Sequence, residues 1–520
     1  MAESLPQNDA PDVPPIVVAD DAVPANGGKF AWLRPNAYRY DFTRSLFLRL
    51  LGLIYLCAFV SLGVQIEGLV GSKGILPIDP YLQEVAKHYG TRGYFLLPTL
   101  LWFNSGDTAL HVLSIGGAIL SGLLIIGLLP VPVLVLLWAC YLSLTVAGQT
   151  FLGFQWDGLI LEAGLLAIFL APMQLFLWRR AKRPPSFLVI LLFRWLVFRV
   201  LFLSGVLKLT SGDLTWRHWT ALQYHYQTQP LPAWTSWYFH HLPPWFQTLS
   251  VGFTFFAEII APLLIFGPRP ARWVAFCSIL LLQFLIAISG NFGFFNVLTI
   301  VLCVPILDDG CWPTRWRKNF VASQPKPSRF WPLPLLAPLA IVILLLSGMT
   351  VVSAFDEKIT FPAPLLTLDQ TIEPFRSING YGLFRVMTTE RPEIIVEGSD
   401  DGLDWKPYEF KWKPGDLHRA PQFCTPHMPR LDWQMWFAAL GEVENNPWFI
   451  NLLIRLLQGS PTVLDLMGHN PFPDHPPKYV RAVLYKYEFT TAAERRQSGD
   501  WWKREQTGIY CPPVSLNDLR

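Results

Sequence analysis

Three side chains have the type and placement for acid–base work: Glu162, Lys208 and His225. Glu162 lies about one turn inside a long apolar run, where a carboxylate nearer the middle costs roughly 2.5–3.5 kcal/mol on insertion scales. It therefore needs a partner, and Arg194, Arg199 and Lys208 are the candidates; Glu258 poses the same demand. Gln155 and Glu162, seven positions apart, share a helix face, whereas Asp157 and Glu162 do not. Groups whose pKa is tuned by burial can move protons. The plainer reading, a set of ion pairs that fixes helix packing, is favoured over a polar pocket opening outward.

Other chemistries find less support. His218, His225, His240 and His241 crowd one loop, but a zinc site needs at least three converging ligands and these spacings match no zinc pattern. No metal or cofactor is expected. Seven cysteines cannot all pair internally; Cys57, Cys140 and Cys277 fall in apolar runs as packing thiols, and no CxxC occurs. Cys424 and Cys511, in a polar region, leave a disulfide open. There is no GxSxG elbow, so no catalytic nucleophile is assigned.

The elements that must position these residues are membrane helices. The chain of 520 residues is 52% hydrophobic and 15% charged, where a soluble domain carries about 25% charge. A net charge of +3 is too small to suggest nucleic acid. Residues 1–43 are rich in Pro, Asp and Ala without an apolar signal region, and read as a disordered cytoplasmic tail. A span needs roughly 20 apolar residues. Spans fall near 45–64, 108–128, 131–147, 158–178, 186–207, 249–267, 271–289, 294–307 and 332–352, about nine in all, the eighth short and, with Asn296 inside it, open to a re-entrant or tilted reading. The units are then a bundle over 44–308, a cytoplasmic basic loop at 309–331, a last transmembrane helix at 332–352 and an extracytoplasmic β-rich region at 353–520.

Basic residues orient the bundle. Arg179, Arg180, Lys182 and Arg183, then Arg269 and Arg272, then Arg315, Arg317, Lys318, Lys326 and Arg329 share one side with the tail, which is the cytoplasm. The loops at 71–92, 148–157, 208–250 and 289–292 face the other way. The loop at 208–250 is too long and too aromatic for a connector. Trp216, Trp219, Tyr224, Tyr226, Trp234 and Trp237 read as an interfacial platform. In the C-terminal region, 392–413 reads as two strands around an Asp401-Gly402 turn, and 479–490 alternates again. The acids of 397–405 lack the twelve-residue calcium-loop pattern, so a plain turn is favoured. Helical spacing at 433–440 and 448–466 completes an expected β-sandwich with a helical insertion.

Several motifs then resemble the lipase maturation factor family. They are Gly148-Gln149-Thr150-Phe151-Leu152 with Phe154-Gln155-Trp156-Asp157, Ser204-Gly205-Val206-Leu207-Lys208-Leu209, Leu214-Thr215-Trp216, Thr220-Ala221-Leu222, and Tyr224-His225-Tyr226 with Thr228-Gln229-Pro230-Leu231-Pro232. Further along come Asn291-Phe292-Gly293-Phe294-Phe295-Asn296, Tyr381-Gly382-Leu383-Phe384, Pro429-Arg430-Leu431-Asp432-Trp433-Gln434-Met435-Trp436-Phe437 and Asn470-Pro471-Phe472-Pro473. The resemblance implies a multi-span membrane protein that helps secreted lipases reach an active folded or assembled state. Its animal members act in the endoplasmic reticulum with a lumenal C-terminal domain.

On this reading the binding residues are Gln155, Trp156, Asp157, Trp216, Tyr224, His225, Tyr226, Gln229, Arg430, Asp432 and Trp433. The partners are the membrane and a secreted lipase or other exported client. No Asn-x-Ser/Thr sequon occurs and Asn517-Asp518-Leu519-Arg520 is no retention signal. Those absences point to a bacterial member in the inner membrane with its C-terminal region in the periplasm; a eukaryotic member would sit in the endoplasmic reticulum membrane. A non-catalytic assembly factor leads. The rival is a membrane-embedded enzyme acting on a lipid, quinone or peptide at the outer leaflet, using Glu162, Lys208 or His225. Its motivation is Gly74-Ile75-Leu76-Pro77, loosely similar to membrane proteins of the vitamin K-dependent carboxylase type. A transporter is disfavoured, since neither an internal repeat nor paired broken helices are seen.

Overall fold

The computed structural model describes residues 39–177, 184–317 and 331–518. Nearly all of the tail at 1–43, the basic cluster Arg179, Arg180, Lys182 and Arg183, and Lys318, Lys326 and Arg329 of the basic loop lie outside the described residues.

The membrane half runs α1 (Asp41–Gly63), α2 (Asp107–Ile126), α3 (Pro130–Ala147), α4 (Gln155–Leu170) and α5 (Phe187–Thr210). Three short helices follow, α6 (Leu214–Arg217), α7 (Ala221–Thr228) and α8 (Trp234–His240). Then come α9 (Pro244–Leu264), α10 (Arg269–Ser289), α11 (Phe295–Leu302) and α12 (Leu333–Ser353). Among the described residues seven helices are long and apolar enough to cross a membrane: α1, α2, α3, α5, α9, α10 and α12.

The expected nine spans are corrected on this point, because the fourth and eighth fold as short helices. α4 stops after 16 residues, where Ala171 turns to an extended conformation before Pro172. A residue preceding proline is pushed out of the helical region. α11 has only 8 residues, bounded by the bend through Gly293 and by a tight turn at Val304–Ile306 around Pro305.

Polar groups tie one end of the bundle together. The Asp309 carboxylate accepts the backbone N–H groups of Asp41, Phe42 and Thr43 at 2.8, 3.2 and 2.9 Å. These are orphan donors at the start of α1, where a negative group is stabilising. Asp308 binds Arg269 and Arg272 at the start of α10, and Arg194 donates to the Tyr40 hydroxyl at 2.6 Å.

The C-terminal region covers the opposite end. Its antiparallel sheet has the order β2-β1-β5-β6, from β1 (Arg391–Ser399), β2 (Lys406–Pro407), β5 (Tyr479–Phe489) and β6 (Trp502–Val514). A two-stranded ribbon pairs β3 (Glu409–Phe410) with β4 (Met467–His469). The expected sandwich is therefore replaced by one sheet. In place of a second sheet, α13 (Arg430–Ala439) and α14 (Pro447–Leu457) supply the apolar cover. Ile394 and Val396 of β1 and Val480 and Ala482 of β5 are buried in one cluster with Leu431, Phe449, Leu452 and Leu456. That same cluster continues into α1, α3 and α4, so the sheet and the bundle share a single core.

Candidate functional site

The residues singled out in sequence converge on the seam between the bundle and the C-terminal region. Asp157, in the first turn of α4, is gripped by Arg430, the first residue of α13, at 2.6 and 2.7 Å. The Tyr141 hydroxyl of α3 donates to the same carboxylate at 2.6 Å. Both charged side chains are 1% exposed. Burial opposes the charge on Arg430, yet the Asp157 carboxylate more than reverses this and its pKa ends above the usual range. One helical face over, Glu162 pairs with Arg199 and accepts the Tyr381 hydroxyl at 2.7 Å. Gln155 accepts the Gly382 N–H at 3.1 Å. The face shared by Gln155 and Glu162 thus meets one segment, 379–382. Gln65 of the α1 exit closes the seam by donating to the Met428 carbonyl (2.8 Å) and accepting the Arg430 N–H (2.9 Å).

The aromatic loop is part of the same seam. Trp216 donates its indole N–H to the Phe384 carbonyl at 2.9 Å, and Trp237 to Thr490 at 2.8 Å. In the reverse direction Trp436 of α13 donates to Thr228 at 2.9 Å. Arg391, at the start of β1, gathers the carbonyls of Gln227 (3.0 Å), Gln229 and Pro230 (2.9 Å) while pairing with Glu393 (2.6 Å). Gln229 itself donates to the Ser289 carbonyl at 2.7 Å. Trp216, Tyr226 and Trp237 are buried anchors, Tyr224 packs beside Trp216, and of the six platform aromatics Trp219 and Trp234 alone reach 46% exposure. The loop is therefore a clamp between two halves as well as an aromatic surface.

Trp156 and Trp433 meet edge to face at 4.8 Å inside the seam. Asp432 accepts the N–H groups of Trp412 (2.8 Å) and Lys413 (2.9 Å), organising the chain after β3. The acid–base candidates do not converge. Lys208 pairs with Glu258 at 2.8 Å, and Lys208 and His225 line a cavity that Glu162 does not reach. Burial and the nearby Lys208 charge lower His225 to about 4. Among the described residues no three His, Cys, Asp or Glu side chains stand where they could hold a metal ion. Cys424 and Cys511 are both buried and unpaired.

An open groove of about 740 Å³ runs along the seam, lined by Gln155, Leu207, Val386, Trp433, Phe437 and Leu440 among others. Phe437 and Leu440 are 42% and 43% exposed on its wall. Tyr141, Gln65 and Arg391 were not singled out in sequence. The one signal available was a hydrogen-bonding side chain within or beside an apolar run, which leaves its partner unnamed.

Two family models match the chain: the lipase maturation factor transmembrane domain over residues 42–314 and the lipase maturation factor C-terminal domain over 377–512. The chain belongs to the lipase maturation factor family. It is 37% identical to lipase maturation factor 2 of Gallus gallus and 36% identical to that of Homo sapiens, with 91% of this chain and 82% and 83% of those proteins covered. It is 34% identical to lipase maturation factor 1 of Bos taurus, over 94% of this chain and 91% of that protein. No solved structure matches.

In lipase maturation factor terms, the Asp157–Arg430 pair joins the transmembrane domain to the C-terminal domain. The bacterial assignment made from the sequence is overturned, because the matching relatives are vertebrate proteins. Missing short motifs weigh little against similarity along nine-tenths of the chain.

Proposed function

We propose that this chain is a non-catalytic maturation factor for secreted lipases, working on the extracytoplasmic face of a eukaryotic membrane of the endoplasmic reticulum type. The observation that carries the reading is family membership over both domains, with 91% of the chain aligned to lipase maturation factor 2. The seven long spans and the seam support it by describing a membrane-anchored scaffold with an apolar groove at its outer edge. The tail and basic loop face the cytosol and residues 353–520 the lumen. Support for this comes from the shared inner end at which Asp308 and Asp309 meet the starts of α1 and α10.

A client lipase chain docks in the groove against Trp433, Phe437 and Leu440. Asp157, Arg430, Gln229 and Asp432 then serve binding indirectly, by holding the groove's walls. The test is co-expression with a secreted lipase in cells lacking their own maturation factors, reading lipase activity per unit of secreted lipase protein. The chain should raise that ratio. Phe437→Asp should lower it by about tenfold, the equivalent of 1.4 kcal/mol of client affinity, at unchanged factor abundance. No rise over empty membranes would end the reading.

A further inference from the structure

A second cavity, which shares Leu383 and Phe384 with the groove as a common wall, lies under the aromatic loop between α5, α9 and α10. Its volume of about 140 Å³ is on the scale of apolar cavities that take up a small hydrocarbon. α9 and α10 pack together along their inner parts, from Phe256 onward, and separate toward their outer ends. In that gap Phe246, Phe253 and Thr254 of α9 and Leu285 and Ile286 of α10 line the cavity while remaining partly exposed. Their neighbours Trp245, Leu249, Leu281 and Phe284 are 68, 62, 48 and 55% exposed. On a membrane span such a surface faces hydrocarbon, so the gap opens sideways into the bilayer.

The polar groups stand on the wall away from this mouth, and most are already satisfied. Lys208 and Glu258 neutralise each other. The hydroxyls of Ser204, Ser250, Thr254 and Ser289 each donate to a carbonyl of their own helix, at 2.7, 2.9, 2.9 and 3.2 Å. The rest lack partners: the Tyr226 hydroxyl and Gln283 Nε2 make no hydrogen bond among the described residues, and two further groups stand with them. The His225 ring nitrogens have no hydrogen bond among the described residues. Asn296 Oδ1 is buried without a partner, while its amide nitrogen donates to Gln283 at 2.7 Å. Both residues are more than nine-tenths buried. A neutral imidazole supplies one donor and one acceptor. A charged head here would lack a counter-ion and bear the full cost of desolvation. A head made of hydroxyl and ester groups fits without that cost.

We propose that this cavity holds the head of a neutral membrane amphiphile of the monoacylglycerol type, hydrogen-bonded to His225 and Asn296, while its acyl chain leaves between α9 and α10 into the bilayer. The proposal does not rest on the maturation reading.

The test uses the full chain in phosphatidylcholine nanodiscs and a monoacylglycerol carrying a mid-chain diazirine, with crosslinked peptides mapped by mass spectrometry. Labelling should concentrate on the outer halves of α9 and α10 and be competed by monoolein but not by oleate or lysophosphatidylcholine at equal concentration. Ile286→Trp, which fills the mouth, should reduce labelling by about tenfold, whereas Leu281→Trp on the lipid side should not. Label spread evenly over all spans, or equal competition by the charged lipids, overturns the proposal. If Ile286→Trp does not accumulate, competition on the unaltered protein decides alone. Lipase activity is not read, so this proposal and the maturation reading fail independently.

Discussion

Arg430 and Asp157 show what single residues contribute to this protein. Removing one member of a buried pair strands the other charge, at a cost of about 3–5 kcal/mol. Arg430→Met should therefore lower the melting temperature sharply and open residues 353–518 to protease, and adding Asp157→Asn should restore much of the loss. Limited proteolysis with thermal denaturation in nanodiscs checks both. Sequence flagged both residues, but as contacts for a partner. It had no means of pairing them, because the separation of 273 positions carries no local period. Glu162 was easier: its depth demanded a base, and Arg199 was one of three offered.

Histidines give the pH dependence at the same scale. His225, His240 and His427 are each lowered to about 4, chiefly by burial, with the Lys208, His241 and Arg430 charges adding respectively. The unfolded chain takes up these protons near the ordinary value of about 6.5 and the folded chain does not. Stability is thus complete above that value and falls as pH drops from about 6.5 towards 4. Melting temperatures between about pH 7.5 and 4.5 should decline steadily, and less so in His225→Phe.

Among the elements, the long spans were the most legible because twenty apolar residues leave little choice. α4 was misjudged as a full span because hydropathy does not register the break at Ala171-Pro172, whereas the run that gives α11 already read as short. β6 was missed altogether. As an edge strand it exposes Lys503, Arg504, Glu505, Gln506 and Thr507 in a row, so no alternation shows, and only Trp502, Tyr510 and Cys511 are buried. The aromatic loop was legible as unusual but not as a clamp, since its indole donors find acceptors far along the chain. Trp436→Phe keeps the ring and deletes the bond to Thr228, leaving a buried carbonyl short of a donor. It should cost about 1–3 kcal/mol of thermal stability, and hydrogen exchange should rise at α7 in that variant.

At the level of the whole molecule, the transmembrane and C-terminal domains are joined by one core and two buried carboxylates, Asp157 and Glu162, each completed from the far side. The expectation of a separate sandwich fails for this reason: α13 and α14 cover the sheet and also seat it on the spans. Such a seam has a consequence in time. A ribosome adds about 5–20 residues per second. Arg430 therefore emerges roughly 14–55 s after Asp157, given the 273 positions between them. Through that interval the half-made bundle sits in the bilayer with an acid awaiting its base. A premature stop before residue 430 leaves this state permanent, and the nascent chain then displays its own fault to whatever machinery inspects membrane proteins.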